Sequence, residues 1–166
     1  PLVPFVHLDA LAQTEAVPFV HEKTYLLPSG KRVAVKFREH PCRSGGTGEC
    51  SEADAGMWGI DGGIPRFITE VFLVSIDSKE FVIPRKFYQD LTNTYQLRIF
   101  EQNARVVIEL KGGEAAGAYT ARFKLGAMCG FEREVCAEVC KEIWERTTWY
   151  NAFAYEADPR CGSGIQ

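Results

Sequence analysis

No stretch of this 166-residue sequence approaches the roughly 18 consecutive apolar residues that a membrane-crossing helix needs. No membrane span is therefore expected. Excess positive charge is missing too. With 19 Lys and Arg against 22 Asp and Glu, the formal charge is -3, so there is no basic field to hold phosphate backbones and nucleic acid is not an expected partner. Signatures of catalysis are equally scarce. Neither a G-x-S-x-G nucleophile elbow nor an H-E-x-x-H zinc helix occurs. His40 and Cys42 with Cys50, or Cys136 with Cys140, lack the paired C-x2-C spacing of a zinc site. No metal or cofactor is expected, and no catalytic residue is assigned.

One glycine-rich stretch raises the question of nucleotide binding. In KGGEAAGAYTARFKL, Gly112 and Gly117 have the glycine spacing of a phosphate loop. Such a loop needs Lys and Ser or Thr directly after the last glycine, then a helix whose N-terminus faces the phosphates. Here Ala118 and Tyr119 follow, and Tyr119, Ala121, Phe123 and Leu125 alternate with Thr120, Arg122 and Lys124. That period of two describes a strand. The glycines then mark a hairpin turn, with Glu114 at its tip.

What the chain does contain is apolar residues at 46%, enough to bury the core of one domain over 1-166. It also contains six cysteines: Cys42, Cys50, Cys129, Cys136, Cys140 and Cys161. Their even number points to disulfides and to a periplasmic or secreted protein. Cys42 and Cys50 close the glycine-rich PCRSGGTGEC, where a bridge would contribute about 2 to 3 kcal/mol. Cys136 and Cys140, four apart in a stretch read as helix, would share one helix face and so pair outward, with Cys129 or Cys161. At the start of the chain, Ala10-Leu11-Ala12 has the small-residue pattern of a leader cleavage site. His7 and Asp9 interrupt its apolar run, so residues 1-22 read as the extended N-terminal segment of a mature or trimmed chain. VPFVH occurs at Val3-His7 and again at Val17-His21, too short a repeat for a solenoid unit.

Strand signals dominate. Lys23-Leu27 and Arg32-Phe37 flank a Pro28-Lys31 turn, and Phe67-Ile76 turns at Asp77-Lys79 into Glu80-Ile83. Tyr95-Glu101, Arg105-Leu110 and Ala118-Leu125 read as a meander, with a further strand at Gly130-Val135. Residues 38-65 read as a long glycine-rich loop, and Pro84-Asn93 as one or two helical turns. From Cys136 to Trp144, the residues Cys136, Val139, Cys140, Ile143 and Trp144 make an apolar stripe at helical spacing. The expected fold is α+β, mainly antiparallel β, a meander or sandwich-like sheet with a C-terminal amphipathic helix on one face.

Candidate surfaces follow from that arrangement. Trp149, Tyr150, Phe153 and Tyr155, with Trp144, crowd the C-terminal region, where exposed aromatics would serve as a binding hot spot or a sugar-stacking platform. Arg105, Arg122 and Lys124 share the outer face of the meander with Arg98, Arg105 being expected opposite Lys124; Glu101 and Glu109 would balance them locally. The expected function is a non-enzymatic binding or interaction protein of the cell envelope, of inhibitor or immunity type, with a protein or small-ligand partner. One alternative is a carbohydrate-active or other hydrolase using Asp54, Asp61 and Glu70 beside the 38-65 loop. Another is a carrier of a small apolar ligand.

Overall fold

The alternation of apolar and polar side chains becomes strands and almost nothing else. The computed structural model describes residues 17-42, 56-126 and 130-150. Among these, β1 (Val20–Leu26), β2 (Arg32–Pro41), β3 (Phe67–Ile76) and β4 (Lys79–Phe81) form one antiparallel sheet in sequence order. A second antiparallel sheet holds β5 (Thr94–Gln102), β6 (Arg105–Gly112), β7 (Tyr119–Leu125), β8 (Gly130–Ala137) and β9 (Ile143–Tyr150), again in sequence order. Two of the hairpins turn on pairs of left-handed residues, Asp77 with Ser78 and Asn103 with Ala104. Two successive positive φ angles give the turn whose twist matches that of the flanking strands.

The two sheets face each other across one apolar core. Val33, Val35 and Phe37 of β2 and Phe72 and Val74 of β3 meet Ile108, Leu110, Ala121, Phe123 and Phe131 from the other sheet. Phe72 and Phe123 join the layers edge to face, ring centroids 5.1 Å apart, a favoured aromatic geometry. One corner is tied by polar groups. Asn93, in the left-handed region, accepts the N–H groups of Arg66 and Phe67 on its side-chain oxygen and donates to the carbonyl of Gly59. Nearby, the buried Glu39 accepts the Thr94 N–H at 2.7 Å.

Three expectations need correction. The C-terminal amphipathic helix does not exist, and with it the α+β class falls: the fold is nearly all antiparallel β in two sheets. Cys136 and Ala137 pair with Thr120 and Tyr119 of β7, the chain reverses with Cys140 at φ 54°, and β9 returns alongside β8. A left-handed residue halts a right-handed helix, so the apolar stripe at helical spacing is the product of a turn, not of a helix face. Second, Cys136 and Cys140 do not pair outward. They are bonded to each other across this turn, Cα atoms 4.9 Å apart. Third, Arg105 lies opposite Gln102 and Lys124 opposite Val107, so the two cations never face each other.

Smaller differences concern boundaries. Arg38 to Pro41 belong to β2 instead of the long loop, and Pro84-Asn93 contributes one 3-10 turn, Arg85–Phe87. The glycine-rich stretch is the β6–β7 connection, with a 3-10 turn at Ala115–Gly117.

Candidate functional site

The outer face of the five-stranded sheet neutralises its own charge. Arg98, Glu109, Arg122, Glu134 and Arg146 stand in register on five successive strands, one sign alternating with the other. Arg122 donates to Glu109 at 2.8 Å, and Arg146 to Glu134 at 2.9 and 2.7 Å. Lys124 contacts Glu132 at 2.9 Å and Glu134 at 2.7 Å. Burial alone would raise the Glu134 carboxyl, but the hydrogen bonds from Lys124 and Arg146 outweigh it and hold the group below its usual range. Opposite charges directly across a sheet support each other, and a face built this way has little attraction left for an anion. Arg105 is half-buried, and Glu114 at its hairpin tip contacts Arg66 at 3.4 Å on the open surface.

The other sequence candidates disperse. Glu70 on β3 accepts from Arg38 at 3.0 Å, Asp61 is exposed, and Asp54 lies outside the described residues. His21 stacks on Tyr25 and bonds its hydroxyl at 2.7 Å, while His40 contacts the carbonyl of Pro41. Among the described residues, no three His, Cys, Asp or Glu side chains are placed to hold a metal ion. Cys42 is disulfide-bonded; Cys50, Cys129 and Cys161 lie outside the described residues, as do Phe153 and Tyr155. A shallow groove of about 600 Å³ crosses the outer face of the four-stranded sheet. Its floor is the row Thr24, Ala34, Ser75 and Glu80.

The C-terminal aromatics divide by strand position. Trp149 turns inward and packs on Phe131, centroids 5.5 Å apart, and on Phe87. Tyr150 and Trp144 are 48% and 46% exposed, and Ile143 is exposed beside them. Trp144 owes its position to a β-bulge: Cys136 pairs with Ile143 and Val135 with Glu145, leaving Trp144 as the extra residue. Bulges re-aim side chains in this way. The indole of Trp144 stacks on that of Trp58, centroids 5.7 Å apart and planes within 13°.

Trp58 is held from behind by its backbone. Its N–H donates to the carbonyl of Asp90 at 2.7 Å, and its carbonyl accepts the N–H and hydroxyl of Thr92 at 3.1 and 2.7 Å. Gly59 permits this closeness, because a Cβ there would meet the Thr92 carbonyl oxygen at 2.5 Å. Asp90, and Glu145 next to Trp144 in the chain, belong to an ion cluster on the buried Arg133 guanidinium. Arg133 grips Asp90 with two parallel bonds, 2.9 and 2.6 Å, donates to the carbonyl of Phe87 at 3.0 Å, and reaches Glu145 at 3.4 Å. Thr147 in turn donates to Glu145 at 3.0 Å. Asp90 and Glu145 each keep part of their side chains at the surface.

Arg133, Asp90, Glu145 and Trp58 were not singled out by sequence reading as a group. One signal was present: Arg133 sits between Phe131 and Val135 at an inward position of an alternating strand, where a charge demands a partner. Compared with protein-family models, curated proteins and solved structures, the chain matches none of the three.

Proposed function

We propose that this chain is a non-enzymatic binding module of the cell envelope or exterior, engaging its partner through the β9 end of the sandwich. The observation that carries the reading is the exposure of Trp144 and Tyr150 on the outermost strand of the five-stranded sheet. Aromatics with an apolar body and a polar tip dominate binding energetics where they are accessible. The Cys136–Cys140 disulfide supports an oxidising compartment. Surface binding is favoured over carriage of an apolar ligand because rings from the two sheets touch across the core, as Phe72 and Phe123 do at 5.1 Å. It is favoured over hydrolysis because Asp90 and Glu145 are both committed to one guanidinium, an arrangement that orients acceptors instead of delivering protons.

The test is co-sedimentation with the insoluble envelope or matrix fraction of the source cells. The intact protein is expected to pellet with it, and a Trp144→Ala, Tyr150→Ala variant to do so about tenfold more weakly while keeping the far-UV spectrum of the folded protein. Equal sedimentation of the two would remove β9 as the binding surface.

A further inference from the structure

Resting on that reading, we infer that the Trp58–Trp144 stack and the adjoining Asp90–Arg133–Glu145 cluster form a binding site for the pyranose rings of a neutral glycan. The platform comes first. Trp144, 46% exposed, stacks one face of its indole on Trp58 with the planes within 13°, and the negative π face of an indole attracts the polarised C–H bonds that line one side of a sugar ring. Backbone bonds on both sides of Trp58 and the bulge at Trp144 hold the platform before any ligand arrives, which lowers the ordering cost of binding.

The polar groups fit the same ligand. A sugar presents hydroxyls around the rim of its apolar face, and carboxylates accept hydroxyl hydrogens strongly when their orientation is fixed. Asp90 and Glu145 are fixed by Arg133 and by Thr147, and both retain exposed surface. Both belong to residues tied to the two tryptophans, Glu145 following Trp144 in the chain and Asp90 accepting the Trp58 N–H on its backbone carbonyl. A few fixed polar groups together with aromatic side chains is a composition common in small-ligand sites.

Charge and shape select among ligands. Two carboxylates against one guanidinium disfavour an acidic sugar or a phosphate. A quaternary ammonium is the competing idea, since cations also seek indole faces. Its recognition relies on rings set as walls around the cation, whereas these two rings are stacked on each other.

The protein is titrated with chito-, cello-, xylo- and manno-oligosaccharides, and separately with choline chloride, following the indole N–H resonances of Trp58, Trp144 and Trp149. At least one neutral oligosaccharide is expected to shift Trp58 and Trp144 saturably while the inward-facing Trp149 stays unmoved. Trp144→Ala, an exposed position that leaves the core intact, is expected to weaken that binding about tenfold, and Glu145→Gln to weaken it by a smaller factor. Three results would overturn the inference: no shift with any of the four sugars, saturable binding of choline in their place, or sugar binding indifferent to Trp144→Ala. If Trp144→Ala abolishes envelope sedimentation while all four sugars fail, the β9 surface stands and its ligand is not a glycan.

Discussion

Asp90 and Arg133, 43 residues apart, meet in a two-point contact: Nη1 donates to Oδ1 at 2.9 Å and Nη2 to Oδ2 at 2.6 Å. The guanidinium is 2% exposed and the carboxylate 24%. The pair fastens the connection between the two sheets to the inner face of β8, and it supports the ground on which Trp58 rests.

Removing one partner strands a buried charge. Asp90→Ala is therefore expected to destabilise the fold by about 3 kcal/mol or more, read from urea unfolding. Arg133→Met in the same background removes the buried cation, leaves only the partly exposed Glu145 without it, and is expected to recover much of that loss. Additive effects of the two substitutions would show that the pair is not coupled.

Two buried carboxylates should respond to pH with opposite signs. Burial pushes Glu39 above its usual range, although the Thr94 and Phe19 N–H groups pull it down. Its contribution is then fully present below the unfolded value of about 4.3 and is lost as pH rises through the folded one. Glu134, held low by Lys124 and Arg146 against its burial, contributes above the unfolded value and loses that contribution as pH falls. Stability of the parent minus that of Glu39→Gln should therefore decline as pH rises, while the difference from Glu134→Gln should grow. Parallel slopes for the two variants would contradict these assignments.

The glycine beside the platform is sharply constrained. Gly59 and Gly62 both have positive φ, but a Cβ at Gly62 meets open space while one at Gly59 strikes the Thr92 carbonyl. Gly62→Ala should cost about 1 kcal/mol from backbone strain alone. Gly59→Ala should cost about 2 kcal/mol more and should also disturb the Trp58 indole resonance. Equal losses at the two sites would mean that Trp58 is not anchored through Thr92.

The turn between β8 and β9 tests the correction to the helix. Opening the Cys136–Cys140 bridge by Cys140→Ala is expected to cost about 2 kcal/mol, the value for so short a loop, and far-UV circular dichroism should show strand signal with no helical minimum before or after. A helical spectrum in either protein would restore the amphipathic helix.

These results mark where sequence patterns carry structural information and where they stop. The strand that begins at Arg32 was legible because a half-buried strand writes a period of two into the chain, here as the buried Val33, Val35 and Phe37. The helix was misread because Cys136, Val139, Cys140, Ile143 and Trp144 reach helical spacing through a turn plus a bulge, and periodicity does not distinguish the two. The β-forming run Thr147, Thr148, Trp149, Tyr150 just beyond was the better guide. The Trp58–Trp144 stack and the Asp90–Arg133 pair were illegible because each joins residues distant in sequence through a tertiary contact. Only the inward position of Arg133 on β8 hinted at a partner.

The most direct test of the binding surface is a map of amide shifts in the isotope-labelled protein as solubilised envelope or matrix material is added. The changes should concentrate in β9 from Ile143 to Tyr150, at Trp58 to Ile60 and around Asp90. Changes confined to the groove floor at Thr24, Ala34 and Ser75, or to the alternating row from Arg98 to Arg146, would contradict it.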